Sequence, residues 1–219
     1  MASNMALKRG AKANRRKAVL AEKRKLELCN DTLAERVIRA SRAPIQHCLV
    51  PETLFDAGIG TVILARGFTS NHLMLGLFLV DAWCLGIKDV CFRSAGAETF
   101  ESMMATVNET TPMAPVDPSY ARKLLRDAAA WAASIGFAPH RDFAAVEQLF
   151  GDVSADASDA TFQFGDQGKP FYVPGPKESP TQVHLRSEAL GQALGIEKLE
   201  SADSNGGQAA DSRSEFATL

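Results

Sequence analysis

Between Thr61 and Asp89 the chain reads TVILARGFTSNHLMLGLFLVDAWCLGIKD, two strongly apolar runs joined by a short polar turn. Side chains of this kind must leave water, and the runs are too short to cross a bilayer, which takes about 20 apolar residues in a helix. The longest, Leu73 to Val80, has the length of a strand. The stretch therefore predicts a buried β-hairpin. Strand one spans Thr61–Arg66 and strand two Leu73–Trp83, with Gly, Thr, Ser and Asn in the link Gly67–His72. Strand two is apolar on both faces, so it is expected to be central and covered on both sides. Gly76 inside it predicts close approach by another group. The charged pair Lys88 and Asp89 is read as lying just past the hairpin's end.

The remaining segments supply helices. Asp117-Pro118 opens the clearest one: Asp117 caps it, Pro118 takes the first turn and Gly136 ends it. Its apolar positions, Tyr120, Ala121, Leu124, Leu125, Ala128, Trp131, Ala132 and Ile135, recur three or four apart, with Arg122, Lys123, Arg126 and Asp127 assigned to the opposite side. A tight link, GFAPHRDF, leads to a second helix over Phe143–Phe150 closed by Gly151. Further helical stretches are read at Arg15–Ser41, with a break and an N-cap at Asn30 or Asp31, and at Pro51–Ala57. Others fall at Glu98–Val107 and at Pro180–Leu194, the last capped by Ser179. Thr161–Pro174 reads as a second hairpin, with strands at Thr161–Phe164 and Pro170–Val173 around the turn Gly-Asp-Gln-Gly and an edge position for Pro170. The architecture expected is α+β: an antiparallel sheet built from two hairpins over residues 45–198, with helices packed on it. A basic N-terminal extension, 1–44, precedes it. An acidic tail, 199–219, follows, too poor in large apolar groups to fold.

The net charge of −2 conceals an asymmetry. Residues 1–28 carry nine cations, Lys8, Arg9, Lys12, Arg15, Arg16, Lys17, Lys23, Arg24 and Lys25, against Glu22 and Glu27, a balance of +7. Residues 200–219 carry four acids against Arg213, a balance of −3. The leader lacks the apolar stretch of a secretory signal. None of Cys29, Cys48, Cys84 and Cys91 forms a CxxC pair, so they are read as reduced packing residues of a cytoplasmic protein.

Three segments, FLVDAWCLGIKD (78–89), YARKLLRDAAAWAASIGFAPHRDF (120–143) and FQFGDQGKPFYVPGP (162–176), resemble a family of uncharacterised bacterial proteins. The resemblance covers residues 45–176. It implies a compact bacterial domain and brings no activity with it.

Three residue sets invite a chemical reading. Asp81, Asp89, His140 and Asp142 are the candidate catalytic groups, with Asp81, His140 and Asp142 as metal ligands. Carboxylate oxygens and an imidazole would suit a divalent metal for phosphoester hydrolysis, provided the 136–143 link docks at the end of the central strand. Their structural roles are equally plain: Asp81 capping a turn, Asp89 pairing with Lys88, Asp142 capping the helix at Phe143. Gly165, Asp166, Gly168 and Lys169 lack the P-loop spacing and read as a hairpin turn. The third set is the cationic leader, whose nine Lys and Arg suit phosphates, with little readout of base sequence. No motif calls for a cofactor, and a divalent metal enters only with the hydrolase reading. Three roles follow: an RNA- or DNA-associated protein tethered by its leader, a protein-interaction module using the Pro170–Val173 edge or the N-terminal helix, and a metal-dependent hydrolase or nuclease. Whether the chain is an enzyme is left open.

Overall fold

A computed structural model of the chain describes residues 31–195 apart from Ser70, Pro176 and Lys177. The cationic leader, Cys29, the part of the expected Arg15–Ser41 helical stretch that precedes Asp31, and the acidic tail all lie outside the described residues. The expected α+β class holds. Five strands, β1 (Ile45–Pro51), β2 (Ile59–Thr69), β3 (His72–Asp81), β4 (Gly86–Ala95) and β5 (Met113–Pro115), form one sheet in the order β4-β3-β2-β1-β5, every pairing antiparallel. The helices are α1 (Leu33–Ala40), α2 (Leu54–Ala57), α3 (Ala97–Thr110), α4 (Pro118–Ser134), α5 (Phe143–Glu147) and α6 (Pro180–Ala193), with 3-10 turns at Gln148–Phe150 and Ala155–Ala157. Among the described residues no helix is long and apolar enough to cross a membrane.

The hairpin is β2 and β3, paired from Ile59↔Asp81 to Thr69↔His72. Alternation along a strand splits its side chains between two faces, and here both faces are dry. Val62 and Leu64, with Phe78 and Val80 across the pair, face α4, α1 and the α5 region through Leu124, Leu125, Ala128, Val37, Leu149 and Phe150. Ile63 and Ala65, with Leu73 and Leu75, face α3 through Phe100, Met103 and Val107. Burying each of these large side chains is worth about 1.5–3 kcal/mol. β3 therefore sits where its two-sided apolar pattern demands, between β2 and β4. Gly76 admits the approach expected of it: a Cβ there would lie 2.9 Å from Leu149 Cδ2.

The chain crosses the sheet once. β4 lies at one edge and β5 at the other, so α3 must carry the backbone across, and in doing so it covers the second face. α1 joins the main core through Val37 and Ala40, so the packed body begins upstream of Ile45. Its N-cap is Thr32 rather than Asn30 or Asp31. Thr32 and Glu35 form a reciprocal capping box, and Asp31 pairs with Arg39 instead.

Other elements depart from expectation for identifiable reasons. β1, β4 and β5 are not among the expected elements: β1 lacks a clean apolar alternation, β4 is an edge strand bearing Lys88, Asp89 and Arg93, and β5 has only three residues. Pro51 ends β1 rather than opening a helix, and only Leu54–Ala57 turns, closed by Gly58 at φ 72°. Thr161–Pro174 contributes no strand. It contains an isolated bridge, Asp166↔Lys169, around its glycine turn, and otherwise runs as a strap along the β3–β4 turn. The Gly165 N–H donates to Ala82 O at 2.8 Å and the Phe171 N–H to Trp83 O at 2.9 Å. Pro170 and Pro174 bring no N–H to a ladder, and Phe162 and Phe164 are held by Phe55, Tyr120 and Trp131. The sheet edge expected at Pro170–Val173 is thus not there. Arg122, assigned to the outer side of α4, is buried against Glu147.

Candidate functional site

The 136–143 link docks on the sheet as the hydrolase reading required, for the His140 N–H donates to Ile87 O at 2.9 Å. It does not gather the four candidate residues into one centre. Asp81 is buried at the end of β3, and its Oδ1 accepts the N–H groups of Trp83 at 3.1 Å and Cys84 at 2.8 Å. It caps the β3–β4 turn. Burial raises its carboxyl pKa, against the opposing pull of those amides and of Lys88. Asp89 stands in β4, largely in solvent, with Oδ1 accepting the Val90 N–H at 2.8 Å.

Asp89 meets His140: their Oδ1 and Nε2 are 3.7 Å apart, beyond hydrogen-bond range. His140 Nδ1 accepts the Asp142 N–H at 3.3 Å, which places the neutral ring's proton on Nε2, toward Asp89. Asp142 occupies the N-cap position of α5, but its side chain accepts no cap hydrogen bond and lies 3.9 Å from Arg141 Nε. Among the described residues no group of three or more His, Cys, Asp or Glu side chains is placed to hold a metal ion. The Gly165–Lys169 segment is the turn expected, with Gly165 and Gly168 both at positive φ. Lys88 does not pair with Asp89.

Lys88 instead points into an arrangement that sequence reading missed. Its Nζ lies 2.6 Å from Glu178 Oε1, and Arg186 Nη1 lies 2.7 Å from the same oxygen. Tyr172 donates its hydroxyl to Glu178 Oε2. Burial alone would raise the Glu178 carboxyl, but Lys88, Tyr172 and Arg186 together outweigh it and hold the pKa at about 2. Burial, then the bond to Glu178, raises the Tyr172 hydroxyl to about 12. Beneath this cluster Cys84, Leu85 and Leu190 form a small apolar core with Ile135, Phe137 and Tyr172. Burial, then the charge of Asp81, lifts the Cys84 thiol to about 12. That keeps it protonated and unsuited to nucleophilic attack.

Beside the cluster opens a cleft of about 250 Å³, lined by Leu85, Ile87, Lys88, Phe137, Ala138, His140 and Arg186. β4, the 136–143 link and α6 supply its walls. Four of the seven linings are apolar. The other three present nitrogen, and no carboxylate lines it. No local signal joins these residues, because Lys88, Glu178 and Arg186 come from distant parts of the chain. The α4–α5 link and the strap both dock here on the β3–β4 region, through the His140 N–H to Ile87 O and the Gly165 and Phe171 N–H groups to Ala82 O and Trp83 O.

The chain matches no family model, no curated protein and no solved structure. Its functional reading therefore rests on its own residues.

Proposed function

We propose that the protein is a nucleic-acid-associated protein whose packed α+β body is carried on RNA or DNA by its cationic leader. The observation behind this reading is the +7 balance of residues 1–28. Nine Lys and Arg in so short a segment, without aromatic residues, suit phosphate contacts made by charge. The described body lends support where the leader joins it. α1 and the turn after it expose Arg36, Arg39 and Arg42, of which Arg39 pairs with Asp31.

Binding of this kind releases counterions, so affinity falls steeply with salt, by a slope of about −0.9 per phosphate neutralised on duplex DNA. Filter binding of the full chain to duplex DNA and to single-stranded RNA across a salt series tests it. Deleting residues 1–28 is expected to abolish most of the affinity and flatten the slope. Unchanged affinity and slope in the truncated chain would remove the basis of the reading.

A further inference from the structure

The cleft between β4, the 136–143 link and α6 has a lining of one chemical character. Its polar members are Lys88, His140 and Arg186, and the two cations offer N–H donors. Its apolar members are Leu85, Ile87, Phe137 and Ala138, of which Phe137 and Ala138 carry most of the open surface. Three acidic groups stand close by without lining the cleft, and Asp89 Oδ1 lies 3.7 Å from His140 Nε2. Asp81 is used by the amides of Trp83 and Cys84. Asp89 accepts the Val90 amide and stands largely in solvent. Glu178 is shared by Lys88, Arg186 and Tyr172.

An ammonium carries three donors and a guanidinium five. Glu178 takes one contact from each cation and Tyr172 takes a further one from Arg186, so donors remain on both. Glu178 also fixes their positions, with both nitrogens on one oxygen at 2.6 and 2.7 Å. The carboxylate thus orients two long side chains that would otherwise lose rotamer freedom on meeting a ligand. The cleft, about 250 Å³ and open to solvent, has room for a small organic acid.

From this geometry we infer that the cleft is a binding site for a small organic carboxylate. The anionic head takes donors of Lys88 and Arg186, and a short apolar body lies against Ile87, Phe137 and Ala138. Charge-assisted hydrogen bonds to a carboxylate are the strong ones, and planar guanidinium matches planar carboxylate. The site is independent of the cationic leader and of the nucleic-acid reading.

Benzoate is a suitable probe, followed by two-dimensional amide NMR on the full chain. Benzamide serves as its uncharged counterpart and inorganic phosphate as an anion without an apolar body. Saturable shifts at the Ile87, Ala138 and His140 amides are expected with benzoate, at affinities of about 1 mM, as befits so small a ligand. Benzamide and phosphate are each expected to bind at least about tenfold more weakly. Arg186→Gln is expected to weaken benzoate by about tenfold or more. Ala138→Leu, which fills the cleft from an exposed loop and leaves the ion cluster intact, is expected to abolish binding, so the test survives if the charge variant unfolds. Absence of saturable shifts overturns the inference. So does equal binding of benzoate and benzamide, or of benzoate and phosphate, or unaltered benzoate binding in Ala138→Leu.

Discussion

Arg122 and Glu147 meet as two parallel hydrogen bonds inside the protein, Nε to Oε1 at 2.6 Å and Nη2 to Oε2 at 3.0 Å. The pair joins α4 to α5. Arg126 adds a third bond to Oε1 at 2.8 Å, and Arg122 Nη1 donates to the carbonyls of Gly151 and Val153. Every polar atom of the pair is therefore occupied in a region where an unpaired charge would be expensive. Arg122→Met leaves Glu147 with Arg126 alone and strands two carbonyls. It is expected to lower stability by about 1–3 kcal/mol, read as a drop in urea midpoint with the slope unchanged. A loss below about 1 kcal/mol would show the pair to be dispensable.

Asp81 makes a contrasting case. Its carboxylate serves two turn amides, yet burial raises its pKa. An Asn carbonyl can accept the same two N–H groups without a buried charge. Asp81→Asn is therefore expected to fold with stability within about 1 kcal/mol of the parent, while Asp81→Ala leaves the amides unpaired at a cost of about 1–3 kcal/mol. The pH dependence has a definite sign. A carboxyl raised in the folded state contributes stability below its unfolded pKa, lost as pH rises through the folded value. Asp81→Asn should remove that part of the decline in melting temperature as pH rises above the ordinary carboxyl value of 3.8; an identical profile in the variant contradicts the assignment.

Glu178 has the opposite sign. Its pKa falls from 4.5 to about 2, so its contribution is present above the unfolded value. It is lost as pH drops from about 4.5 to about 2. Thermal melts across this window should decline more gently in Glu178→Gln than in the parent, and the variant should already be less stable at neutral pH. Parallel curves would mean that the cluster does not hold the strap to α6.

Gly86 and Gly136 separate backbone strain from crowding. Both have positive φ, 64° and 89°. A Cβ at Gly86 would sit 2.6 Å from Ala132 Cβ and 2.7 Å from Ala128 O, whereas one at Gly136 meets nothing within 4 Å. Gly136→Ala is expected to cost about 1 kcal/mol, the left-handed penalty alone. Gly86→Ala adds a backbone clash to it and is expected to cost about 3 kcal/mol or more, since overpacking contributes about 1–3 kcal/mol further. Equal losses in chemical denaturation would show that α4 can shift away from the β3–β4 turn.

Legibility in the sequence follows the range of the interaction that decides each element. The helix Pro118–Ser134 was readable because its cap, its first-turn proline and its apolar spacing are all local. The same holds for the capped start of Pro180–Ala193 and for the β2–β3 hairpin. β4 was missed because Lys88 and Asp89, adjacent charges, read as a terminator. On an edge strand they diverge to opposite faces, one toward Glu178 and one toward solvent. The aromatic alternation of Phe162 and Phe164 imitated a strand although their partners are side chains of α2 and α4. Arg122 and the cleft depended on Glu147 and Glu178, partners too far along the chain for any period to reveal.

α6 contributes only Leu190 and Gly191 to the interior. Much of its attachment runs through Arg186 and Glu178. A segment held by so little apolar surface forms its own low-energy opening unit. Its amides should exchange with deuterium well before those of β3, making one wall of the molecule detachable while the sheet stays intact.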